Sequence, residues 1–230
     1  MTNDSSSLTA TTRAPRRKFW LGTLTVLAGL LVWAVFNLYA TRQTRLREFD
    51  PQEVARIETA MWRSYYDKER GKLFLQLGEL LRMQYRMTFL RSNEAAYQAA
   101  RAAFVFKEGK QRADYERALP YLRNYYRDIR AQSDIPFDVE NVAKLELEWW
   151  IVHRQRAQHQ PGDLARALAD LQAEIFRLPT ERFQEHAHLR AEAMTIRDER
   201  AAAGGVSEAD WQRIDSLLRG SWQSLWQAVN

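Results

Sequence analysis

Three stretches of this chain set acids beside aromatic or imidazole rings at helical spacing. In the first, Glu58, Trp62 and Tyr65 or Tyr66 share a face, because residues three and four apart are neighbours on a helix. In the second, Glu146, Trp149 or Trp150, and His153 repeat the arrangement, with Glu148 between them. The third is Glu185-His186-Ala187-His188, with Glu192 one turn further on. Glu185 and His188 have the Glu-x-x-His spacing of carboxylate-bridged di-iron bundles, which need two such motifs and two more Glu. One copy is present. His188 and Glu192 also have the i, i+4 spacing of a divalent-metal pair.

If the first two helices pack together, their acids and His153 meet in a largely aromatic setting. A carboxyl buried there has a raised pKa unless an Arg or a hydroxyl partners it. Glu58, Glu146, Glu148, His153, Glu185 and His188 are therefore the candidates for a metal, proton-relay or cofactor site. The competing expectation is a satisfied polar network that locks helices together, with Tyr hydroxyls and Trp N–H groups finding partners. For Glu185 to Glu192 it is a solvated helix face. The network is the leading expectation, and with it no cofactor.

The aromatic residues raise a second question. Tyr125-Tyr126 and Trp149-Trp150 are adjacent pairs, and neighbours on a helix point ~100° apart. Neither pair fits one narrow buried stripe. Each marks a helix contacted on several sides, or an aromatic left for a partner. With Trp222, these four are the candidate partner-binding residues, since Trp, Tyr and Arg dominate interface hot spots.

Other chemistry is missing. The sequence has no Gly-rich phosphate loop, no G-x-S-x-G, no H-E-x-x-H and no EF-hand loop. The absence of Cys excludes disulfides, Cys-ligated zinc, iron–sulfur clusters and thiol catalysis. With 46% hydrophobic and 27% charged residues, the 230-residue chain has the composition of a folded protein.

The net charge of +5 is localised. Seven Lys and Arg but only Asp4 precede residue 48, and the 27 basic and 28 acidic residues from 48 to 230 nearly cancel. A nucleic-acid binder needs a basic stripe on its folded domain, and none is evident. The early basic residues flank 23 uncharged ones, Phe19 to Thr41, FWLGTLTVLAGLLVWAVFNLYAT. As a helix these just span a ~30 Å hydrocarbon core. Trp20 and Tyr39 stand near its ends as interfacial anchors. A cleaved leader has a shorter apolar core, and Arg16-Arg17-Lys18-Phe19 resembles a twin-arginine export signal. The length and hydropathy of the stretch favour a permanent anchor over both. Four basic residues before the span and three after it place the N-terminus in the cytoplasm and the bulk of the chain outside.

The elements that must position the candidate residues are all helical. Residues 1–18 read as a disordered tail, 19–41 as the transmembrane helix and 42–230 as a helical domain. Asp50-Pro51-Gln52-Glu53 reads as N-cap, first-turn Pro and capping-box acid. The apolar spacing that follows predicts one helix to about Met87, weakened but not stopped by Gly71 and Gly78. Ser92 or Asn93 opens an Ala-rich second helix that Gly109 ends. A third spans about 112–131 and is kinked or broken at Pro120. Asp138 caps a fourth to about Gln158, Asp163 a fifth to about Arg177, Thr180 a sixth to about Ala202, and Ser207 a seventh. No stretch alternates as a strand does. The expected fold is all-α, a single transmembrane helix followed by an antiparallel multi-helix bundle, with an irregular α-solenoid as the alternative. The expected function is non-enzymatic: a cell-membrane accessory or scaffold subunit that binds a membrane partner beside the bilayer, or a second copy of itself, and no nucleic acid. The alternative is a metal- or cofactor-binding bundle.

Overall fold

A computed structural model describes residues 16–39 and 45–230. They fall into two units that divide between Ala40 and Thr41. Of the expected tail at 1–18, residues 1–15 lie outside the described residues and Arg16 to Lys18 are helical; the last two residues of the uncharged stretch, 40 and 41, also lie outside them.

The first unit holds one helix, α1 (Arg16–Tyr39). Its apolar residues cover the whole circumference, and Leu24, Leu27, Leu30, Leu31 and Phe36 are all more than half exposed. Among the described residues no helix is long and apolar enough to cross a membrane.

The second unit is helical throughout. Its elements are α2 (Pro51–Tyr66), α3 (Arg70–Tyr85), α4 (Phe89–Glu108), the short α5 (Arg112–Glu116), α6 (Leu119–Gln132), α7 (Val139–Arg154), α8 (Asp163–Phe176), α9 (Gln184–Ala202) and α10 (Glu208–Val229). Among the described residues there is no strand. The packing order is cyclic. Working round from α2, each of the eight longer helices packs on the next in the chain, and α10 returns to α2. Short connections make such neighbours antiparallel. The return of α10 distinguishes this ring from an open solenoid.

Local chemistry sets the boundaries. Asp50 caps α2 by accepting from the backbone N–H groups of Gln52 and Glu53, ahead of Pro51. Glu53 forms no capping box and instead pairs with Arg56 at 2.6 Å. The single helix expected from 51 to about Met87 is two. After Tyr66 the chain turns through Lys68 at φ +60°, Glu69 N–H donates to Ser64 C=O at 2.9 Å, and Lys68 N–H donates to Tyr65 C=O at 3.3 Å. This pair of bonds is the Schellman stop, which usually has Gly at its left-handed position. Here Lys occupies it, so composition does not announce the turn. Helix α4 begins at Phe89 rather than at Ser92 or Asn93; both of those side chains bond back to Phe89 C=O. Pro120 breaks the third expected helix into α5 and α6, standing in the first turn of α6. Asp138 and Ser207 cap α7 and α10 as their spacing predicts.

One apolar core runs round the ring, from Val54 and Leu81 through Ala95, Leu122, Leu147 and Leu168 to Leu225. A smaller cluster of Ala193, Trp211, Ile214, Leu217 and Leu218 lies where α10 meets α9.

Candidate functional site

The most unusual feature of the second unit is a charged interior. Glu58 on α2 is almost wholly buried, and its carboxylate accepts from Arg190 on α9 and from Trp222 Nε1 on α10, at 2.7 and 2.6 Å. Burial alone would push its pKa up, but the Arg190 charge and these hydrogen bonds outweigh that and hold it below the usual carboxylate value. Arg190 also lies over the Trp62 ring. Beside it, buried His186 meets Ser221 Oγ at 2.8 Å and Ser221 C=O at 3.0 Å through Nδ1. Burial, reinforced by the Arg190 charge, pushes the imidazole down to about 4.

Glu146 on α7 belongs to the same interior from the opposite side of the ring. Tyr126 OH donates to one of its oxygens at 2.7 Å and Trp150 Nε1 to the other at 2.9 Å. Burial pushes this carboxyl up, and the hydrogen bonds only partly offset it. Arg190 and Tyr85 act on Glu146 and Glu58 alike through space. Groups on α2, α3, α6, α7, α9 and α10 therefore form one electrostatic system.

The two expected stripes thus converge only in part. Glu58 and Glu146 share the interior, with Arg190 as the common cation, but His153 does not join them. His153 Nε2 lies 3.1 Å from Asp198 Oδ2 on α9, and Arg156 and Arg197 pair with that same carboxylate. Burial would raise Asp198, yet His153 and the two arginines outweigh it and bring the group to about 2. Glu148 pairs with Arg112 at 2.8 Å. Glu185 and His188 are exposed, Glu192 pairs with Arg213 at 2.9 Å, and the histidine of that run which the fold uses is His186. Of the six residues considered for a metal, only Glu58 and Glu146 share the interior; Glu148, His153, and the exposed Glu185 and His188 lie apart from them. Among the described residues no group of three or more His, Asp and Glu could hold a metal ion.

The aromatic candidates also need correction. Tyr126 and Trp222 are buried, and their polar atoms serve Glu146 and Glu58. Tyr125, Trp149 and Trp150 are half-buried against the core, with Trp150 edge-on to Phe106. Each adjacent pair packs on itself at a steep angle, 73° for the tyrosines and 84° for the tryptophans. The helix contacts on several sides are therefore real, and neither pair is left outside. The aromatics that are exposed include Tyr65, Tyr97 and Phe104.

Arg190 is the residue the spacing argument missed. Its signal lies in Phe183, Ala187 and Met194, the buried stripe of this segment. Arg190 takes the next place in that 3- and 4-residue series, where a cation requires a buried acid opposite.

Fold and site together define a closed all-helical ring with an internally neutralised core. No protein-family model, no curated protein and no solved structure matches the chain.

Proposed function

We propose that this protein is a membrane-anchored, non-enzymatic scaffold, whose helical ring holds a membrane-associated partner beside the bilayer. One observation carries the reading: Glu58, Glu146 and His186 are engaged by neighbouring groups inside the ring, while large apolar side chains stand on its outside. Glu58 and Glu146 each have both carboxylate oxygens engaged by neighbouring donors. On α4, Tyr97 and Phe104 are 50% and 59% exposed and lie seven residues apart on one face. Leu75, on the adjoining α3, is 68% exposed. An aromatic face of this kind is where a partner would find its anchor residues.

The anchor is assigned to residues 19–41. The support is 23 uncharged residues between Lys18 and Arg42 and the exposed apolar circumference of α1. Gly22, Ala28, Gly29 and Ala34 give the segment small residues that permit close helix approach in lipid. The flanking charges, four basic residues before the span and three after it, support a ring outside the cytoplasm.

The test is purification of the full-length protein from its native membrane in mild detergent, with co-purifying chains identified by mass spectrometry. A stoichiometric membrane protein is expected, and Tyr97→Glu with Phe104→Glu should release it. A wild-type protein that migrates alone as a monomer would remove the basis for this reading.

A further inference from the structure

Residues from four separate parts of the second unit line an open niche of about 550 Å³: Arg45, Arg47 and Glu48; Asp134 to Pro136; Phe176 and Arg177; and Asn230. Its chemistry is that of an anion site. Three arginines line it, Arg45 and Arg47 from one segment and Arg177 from another far along the sequence. Asp134 is occupied in holding the backbone, accepting Leu46 N–H at 2.9 Å. Glu48 is shared between Arg45 at 3.3 Å and Arg86 at 3.8 Å. Arg177 pairs with Glu174 at 2.8 Å, but its side chain is 54% exposed. Exposed pairs at this spacing contribute little and yield readily to a better acceptor. Arg47 has no carboxylate partner among the described residues. Its backbone C=O accepts from Asn230 at 3.2 Å, which fixes the wall of the niche. Arg presents planar, forked donors that match phosphate oxygens two at a time.

The sequence indicates where the phosphate comes from. Only residues 42–44 separate Thr41, the end of the uncharged stretch, from Arg45, and that length of chain reaches at most ~14 Å. If 19–41 spans the bilayer, as proposed above, chain connectivity alone keeps Arg45 within reach of the headgroup layer. We infer that this niche binds the phosphodiester of an anionic phospholipid headgroup, through Arg45, Arg47 and Arg177, and so fixes the ring against the membrane at a second point.

The test uses full-length protein in mild detergent, with native mass spectrometry counting bound dioctanoyl phosphatidylglycerol, dioctanoyl phosphatidylcholine or inorganic phosphate. Phosphatidylglycerol should be retained preferentially, by roughly fivefold for each arginine engaged, and inorganic phosphate should not displace it. Arg47→Gln with Arg177→Gln should abolish the preference with unchanged helicity and melting temperature. Arg112→Gln with Arg213→Gln, which removes the same charge elsewhere, should leave it intact. Equal retention of the two lipids, a preference that survives in the Arg47/Arg177 variant, or displacement by phosphate at similar concentration would each overturn the inference; the last would make it a free-anion site. An alkaline carbonate wash of membranes tests the anchor separately. Release of the wild-type protein overturns the anchor and the lipid argument with it, whereas retention with no lipid preference overturns the niche alone.

Discussion

Arg190 on α9 grips both carboxylate oxygens of Glu58 on α2, at 2.7 and 2.5 Å, and Trp222 on α10 completes the clamp. These three helices are the first and the last two of the ring, so the clamp sits where the ring closes. Removing one partner of a buried pair leaves the other charged and unpaired, at a cost of ~3–5 kcal/mol. Arg190→Ala should therefore lower the melting temperature of the full-length protein in detergent by roughly 10 °C, taking ~2–4 °C per kcal/mol at this size. Arg213→Ala, which breaks an exposed pair with Glu192, should shift it by no more than a few degrees. Comparable losses in the two variants would show that the clamp is not what closes the ring.

Two interior groups make opposite pH predictions, and His186 dominates on the acid side. Its folded pKa of about 4 lies below the ordinary 6.5, so the unfolded chain binds the extra proton between these values. Stability is then fully present above pH 6.5 and falls as pH drops toward 4. His186→Gln should flatten this fall in a series of melting temperatures from pH 7 to 4.5. A wild-type curve of the same shape as the variant's would exclude a buried neutral imidazole.

Glu146 works the other way. Burial raises its pKa above the ordinary 4.5, so the folded state favours the protonated carboxyl. Its ionisation costs stability as pH rises from 4.5 through the raised value. Glu146→Gln keeps a carbonyl for Trp150 Nε1–H and an N–H for the Tyr126 oxygen. It should match or exceed the wild-type melting temperature at neutral pH and lose that advantage near pH 4.5. A marked loss at neutral pH would mean that the charge itself is required.

Some helix ends were legible from their side chains and others were not: Thr180, expected to cap the sixth helix, instead donates to Asp170, and α9 starts at Gln184 with no side-chain cap. Asp50, Asp138 and Ser207 cap as their types imply, and Pro120 breaks what precedes it. The turn at 67–69 was not legible, because Lys68 occupies a position where Gly is the usual signal. The polar network was half legible. Periodicity places Glu58 and Glu146 on inward faces, but nothing local indicates that α9 will lie beside α2 and supply Arg190. Likewise Trp222 and Tyr126 read equally well as surface anchors or core, until ring closure surrounds them. The misplaced turn supplies its own test. Lys68 holds φ +60°, which costs a residue with a Cβ ~1 kcal/mol. Lys68→Gly should raise the melting temperature by ~2–4 °C, and a fall would show that the Lys side chain contributes more than its backbone strain removes.

Gly109 ends α4 with an ordinary backbone, φ −71° and ψ 150°, so helix-stop chemistry alone does not demand glycine there. Proximity does. A Cβ at this position would stand 2.6 Å from Tyr115 Cδ1 and 2.9 Å from Cε1. Tyr115 has nowhere to go: it is 3% exposed and packs on Phe106 with ring centroids 4.8 Å apart. Arg154 closes over both rings, its guanidinium donating to Phe106 and Lys107 C=O at 2.9 and 3.1 Å. Gly109→Ala should thus act as overpacking and cost ~1–3 kcal/mol, although alanine is the better residue for an adjoining helix. Gly71→Ala offers the contrast. Nothing lies within 4 Å of its Cβ position in the first turn of α3, so the same substitution there should stabilise by up to ~1 kcal/mol. The pair separates packing from propensity in one melting experiment. If both variants shift in the same direction, the close approach of α4 to Tyr115 is not what selects glycine at 109.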